Sequence, residues 1–88
     1  MYQVRIDKRL ARNLKKQDKY TLKILKKWIN DNLVNCENPR QKGKELKEKL
    51  KGIWRYRIGN YRLFAIIKDK ELIIILIDFD HRKNIYKQ

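Results

Sequence analysis

Eighty-eight residues suffice for one domain with a small core and no more. Lys and Arg outnumber Asp and Glu by 24 to 10, a formal net charge of +14, which points to nucleic acid or an acidic partner and away from a neutral metabolite. One Cys and one His rule out an internal disulfide and a metal-ligand cluster of the usual kind, and glycines at 43, 52 and 59 have the wrong spacing for a phosphate-binding loop. The basic excess runs through both halves of the chain, so binding to a polyanion should weaken steeply with salt.

The N-terminus, Tyr2-Gln3-Val4-Arg5-Ile6, is too polar for a signal sequence and alternates well enough for a short strand. No apolar run approaches the ~18 residues of a membrane span. A single unpaired Cys36 fits a reducing cytoplasm. Asp7 stands as an N-cap for a helix over Lys8–Gln17 whose narrow apolar stripe is Leu10, Ala11 and Leu14. Asp18 caps a second helix over Lys19–Leu33, in which Leu22, Leu25, Ile29 and Leu33 recur at helical spacing with Trp28 at their edge. That spacing belongs to a core. Lys23, Lys26 and Lys27 face outward. Asn35–Lys44, containing Asn38-Pro39 and Gly43, reads as a loop, because the residue before proline is pushed out of helical geometry. Glu45–Leu50 reads as a helical turn.

Two hairpin signals follow. Gly59-Asn60 lies between two aromatic and β-branched runs, and a two-residue loop there sets Arg57 directly opposite Arg62. Like charges in that arrangement repel, and Arg55 shares their face because strand side chains alternate. Three guanidiniums on one patch suit a visiting polyanion; the bland alternative is that they splay into solvent or pair with Asp78 and Asp80. Lys68–Glu71 separates this run from the unbroken apolar stretch Leu72–Ile77, a strand covered on both faces. Turning around Asp69-Lys70 sets Arg62 opposite Ile77 and continues the basic face to His81. The pattern as a whole is α+β, one domain over residues 1–88: a short N-terminal strand and a two-helix hairpin packed on a small antiparallel sheet.

The run Lys51-Gly52-Ile53-Trp54-Arg55-Tyr56-Arg57-Ile58-Gly59-Asn60-Tyr61-Arg62, followed by an apolar strand and His81-Arg82-x-x-Ile85-Tyr86, resembles the RelE branch of the RelE/ParE toxins of toxin–antitoxin modules. The likeness covers nearly the whole chain. It implies an endoribonuclease that enters the ribosomal A site, rests on 16S ribosomal RNA and cuts mRNA without metal or other cofactor. The 2′-hydroxyl attacks the adjacent phosphate and leaves a 2′,3′-cyclic phosphate. By the same resemblance Arg55, Arg62, Arg82 and Tyr86 match site residues of the family, Lys51 and Arg57 match more weakly, and Lys23, Lys26 and Lys27 would lie on ribosomal RNA. An acidic, partly disordered antitoxin of RelB type is the implied partner.

Where relatives carry lysines on the active strand this chain has Arg55 and Arg57, and an always-protonated arginine is a poor base. Proton transfer therefore falls to His81 or Tyr86, with His81 the first choice for the acid–base role and Glu48 a lesser candidate. Two other functions share these features: gyrase inhibition, as in the ParE branch, and RNA binding without cleavage.

Overall fold

The structure, a computed structural model, describes residues 1–81. In chain order it runs β1 (Gln3–Ile6), α1 (Lys8–Leu14), α2 (Lys19–Asn32), β2 (Gly43–Glu45), β3 (Ile53–Ile58), β4 (Tyr61–Lys68) and β5 (Ile73–His81), with single 3₁₀ turns at Glu48–Leu50 and Asp69–Glu71. The five strands form one sheet in the order β1-β5-β4-β3-β2. β2 to β5 are antiparallel to their neighbours, but β1 lies parallel to β5. The expected antiparallel sheet is thus a mixed one, because the helical hairpin carries the chain back before the meander begins.

Both N-caps are where the sequence puts them. Asp7 accepts from the Arg9 amide at 3.1 Å and Asp18 from the Thr21 amide at 2.7 Å. α1 ends at Leu14 instead of Gln17. Beyond it Lys16 and Gln17 donate to the carbonyls of Asn13 and Leu14, tightening the last turn into 3₁₀ geometry. Ala11, expected on the apolar stripe, is exposed; Leu10 is buried and Leu14 half-buried. The loop expected over Asn35–Lys44 gives way to β2 at Gly43, and of the expected turn over Glu45–Leu50 only Glu48–Leu50 is helical.

The core lies between the helices and one face of the sheet. Leu10, Leu25 and Leu33 meet Tyr56, Ile58, Leu63, Ala65, Ile74, Leu76 and Phe79 there. Alternation then turns Ile53, Arg55 and Arg57 of β3 and Arg62, Phe64 and Ile66 of β4 to the opposite face. The Gly59-Asn60 turn has the two-residue length expected of it, with Gly59 at φ 59°, the left-handed region that glycine reaches without strain.

The second hairpin differs from expectation. Lys68 pairs with Ile73 and Ala65 with Leu76, but Phe64 pairs with Asp78, so Ile77 is an extra residue in β5, a β-bulge. The turn between β4 and β5 also takes up four residues, Asp69 to Leu72, where two were expected, which alone would set Arg62 opposite Phe79. With the bulge added, Arg62 faces Asp80, not Ile77, and Tyr61 faces His81. The bulge reverses the facing of every later residue in β5. It lets Phe79 enter the core, where it is 3 % exposed and stacks on Tyr61 with ring centroids 5.1 Å apart. Burying a side chain of that size contributes roughly 2 kcal/mol, more than the ~1 kcal/mol of a disrupted ladder hydrogen bond.

Candidate nucleic-acid interface

The open face of the sheet carries its charges in two rows. One runs Asp80, Arg62, Arg57 across β5, β4 and β3; the next runs Asp78, Phe64, Arg55, Lys44 across β5, β4, β3 and β2. Directly opposed side chains in such rows have Cβ atoms about 5 Å apart. Three guanidiniums and an ammonium are thereby held on adjoining strands with two carboxylates along one side. The Nε atoms of Arg55 and Arg62 are buried, so the stems lie down on the sheet and do not splay outward. Arg57 is exposed.

β2, which the sequence reading missed, adds Lys44 beside Arg55. The signal was Gly43: a Cβ there would come within 2.8 Å of the Tyr56 ring, so glycine permits a strand to pass close to β3. Below the basic rows the same face is apolar. Leu46, Leu50, Ile53, Phe64 and Ile77, with Asp7, Arg9 and Asp78, line a cavity of about 320 Å³.

His81 is not on this face. Its ring packs edge-on to Tyr61 at 5.0 Å and an interplanar angle of 82°, on the helix side. There Asn13, Lys16, Gln17, Asp18, Thr21, Tyr61, Phe79, Asp80 and His81 border a cavity of about 440 Å³. Asn13 ties α1 to β5 by donating to the Phe79 carbonyl at 2.6 Å and to Asp78 at 3.2 Å. Tyr61 and Thr21 share a hydrogen bond of 3.2 Å. The expectation that the basic face continues to His81 rested on an unbulged strand and is corrected by Ile77.

Lys51 is exposed on the turn before β3, at the far end of that strand from Arg57. Lys23, Lys26 and Lys27 are exposed on α2, and Lys27 is paired with Asp31 at 3.0 Å. Arg82 and Tyr86 lie outside the described residues. Among the described residues no group of His, Cys, Asp and Glu is placed to hold a metal ion, and no helix is long and apolar enough to cross a membrane.

A sequence model described as ParE toxin of type II toxin-antitoxin system, parDE, matches residues 4–86. The chain belongs to this family of toxins. It is 36 % identical over 50 residues to the toxin RelG of Mycobacterium tuberculosis, a match that spans 57 % of this chain and 58 % of that one, so only a little over half of the relative's length is covered. Its fold is similar to that in the toxin–antitoxin complex RelBE2 of Mycobacterium tuberculosis, with a TM-score of 0.83, 30 % identity, and coverage of 92 % of this chain and 98 % of that one. It is also similar to the archaeal RelE–RelB complex of Pyrococcus horikoshii, with a TM-score of 0.68, 25 % identity, and coverage of 92 % and 94 %. The isolated RelE toxin of E. coli has the same fold at 21 % identity, with a TM-score of 0.73 and coverage of 99 % and 93 %. Its two helices packed on a five-stranded mixed sheet are the fold of these RelE toxin structures.

Proposed function

We propose that this toxin is a ribosome-dependent endoribonuclease that cuts mRNA in the A site and stops translation, with no metal. The observation that carries the reading is the pairing of Arg57 with Arg62 beside Arg55 on an open sheet face. Alone, that pair opposes folding by up to about 1 kcal/mol; around an RNA phosphate its charges become a preorganised grip for the negative charge that builds up during 2′-hydroxyl attack. Arg62 and Arg55 hold the phosphate, Arg57 and Lys51 guide the strand, and Lys23, Lys26 and Lys27 rest on ribosomal RNA. Arg82 and Tyr86, which lie outside the described residues, belong to the same site in this reading because they match the family's site residues. His81 faces away from the arginines, so it supports Tyr61 and the strand end in this reading and takes no proton.

The partner that restrains the toxin is an acidic antitoxin of RelB type, in keeping with the net charge and with the RelB complexes of its relatives. The working place of such a toxin is the cytoplasm, where ribosomes are.

Induced expression followed by primer extension tests the reading. Transcripts should be cut at ribosome-occupied positions, and joint Arg62→Ala and Arg82→Ala should abolish both cleavage and growth arrest. The match to the ParE description favours one second reading, inhibition of DNA gyrase. Supercoiling defects with intact transcripts would establish it, and arrest that survives the joint substitution would leave RNA binding alone.

A further inference from the structure

Cutting RNA by 2′-hydroxyl attack needs a proton acceptor on the same side of the sheet as the phosphate grip. Arginine does not serve, and His81 is turned to the helix side. Glu48 sits before β3, at the opposite end from Arg57; the four residue steps from Ile53 to Arg57 alone span about 13 Å. Two carboxylates do lie on the arginine face, Asp78 and Asp80. Asp78 is engaged elsewhere: it accepts from Asn13 at 3.2 Å and from the Phe79 amide at 2.8 Å, stands 3.8 Å from Arg9, and has Phe64 as its cross-strand neighbour. Asp80 is the cross-strand neighbour of Arg62 itself.

We infer that Asp80 is the general base of this toxin, a role that rests on the nuclease reading above. Its Oδ1 accepts the His81 amide at 2.8 Å, which fixes the orientation of the carboxylate at the end of β5. The opposed position beside Arg62 puts it next to the phosphate that Arg62 holds. The placement depends on Ile77, because without the bulge residues 79 and 81 would flank the arginines and Asp80 would point to the helices. In the reaction the 2′-hydroxyl proton passes to the Asp80 carboxylate as O2′ bonds to phosphorus. The bond from phosphorus to O5′ breaks, and O5′ takes a proton from water. The resulting hydroxide removes the proton from Asp80, leaving a 2′,3′-cyclic phosphate, a 5′-hydroxyl and the carboxylate restored.

The test is single-turnover cleavage of mRNA on programmed ribosomes by the full chain and by Asp80→Asn and Asp80→Glu. Asparagine keeps the oxygen that accepts the His81 amide, so the strand end is preserved. Asp80→Asn should lower the saturated rate about a hundredfold or more and leave the half-saturating concentration within about twofold, with Asp80→Glu recovering part of the rate. A 5′-sulfur at the scissile bond, which departs without a proton, should not rescue Asp80→Asn. Wild-type rates in Asp80→Asn would overturn the inference. So would a loss confined to half-saturation, which would make Asp80 a positioning residue for Arg62, or rescue by the 5′-sulfur, which would make it an acid. A wild-type protein that cuts nothing overturns the nuclease reading together with this one, whereas cleavage by both proteins defeats Asp80 alone.

Discussion

Arg57 and Arg62 stand directly opposite each other across the β3–β4 hairpin, the one like-charge pair in a run whose other facing partners include Tyr56 with Leu63 and Trp54 with Ala65. Folding and function pull on this pair in opposite directions. Arg57→Glu replaces a repulsive cross-strand pair with an attractive one, which should raise stability by a few tenths to about 1 kcal/mol. The same change should weaken RNA binding and make it less steeply dependent on salt. Denaturant unfolding and a salt series of RNA titrations measure the two effects on one protein.

Gly43 should not tolerate a side chain. Its φ is not positive, so the difficulty is space: an added Cβ meets Tyr56 carbons at 2.8 and 3.1 Å. That ring is fully buried and pinned by its hydroxyl, which donates to the Pro39 carbonyl at 2.5 Å. Gly43→Ala should therefore destabilise by about 1–3 kcal/mol and loosen β2 with Lys44. Tyr56→Phe, which only orphans the carbonyl, should cost about 1 kcal/mol. Urea midpoints for the two variants give the comparison.

A second network clamps the loop after α2 to the far end of the sheet. Arg40 donates to both oxygens of Asp69 at 2.9 and 2.7 Å while lying 5.5 Å from the Trp54 ring centre, and Tyr2 donates to Asp69 at 2.7 Å. The Arg40 hydrogen bonds, then that of Tyr2, bring the Asp69 carboxyl from an ordinary 3.8 down to about 2. A carboxyl lowered on folding adds stability above its unfolded value and loses it as pH falls through the folded one. Stability should decline between about pH 4 and pH 2, and Asp69→Asn should flatten that limb. The Asp69 side chain is 54 % exposed, so water screens the pair and the change is small. Thermal melts across the acid range decide it.

Much of this fold could be read from local signals. Asp7 and Asp18 lie where each helix begins, and Gly59-Asn60 fixes a turn that sets the register of β3 against β4. The bulge was not legible. Ile77 belongs to an unbroken apolar run in which either parity looks the same, and only the tertiary demand to bury Phe79 against Tyr61 chooses between them. That single residue decides which of Asp80 and His81 joins the arginines, so candidates read by alternation went astray at the strand end. β2 escaped for a related reason, since three residues containing a glycine carry too little pattern to mark a strand.

The arginine face of the sheet and the basic face of α2 are separate surfaces, since α2 packs on the other side of the sheet. If the open sheet face grips the scissile phosphate, the two should contribute at different stages of the reaction. The direct measurement is single-turnover cleavage on programmed ribosomes over a range of toxin concentrations. Arg62→Ala is compared with a triple change of Lys23, Lys26 and Lys27 to Ala. Arg62→Ala should lose about a hundredfold in the saturated rate, and the lysine variant should need more protein to saturate but then cut at the wild-type rate. Arg62→Ala cutting as fast as wild type at saturation would contradict the account.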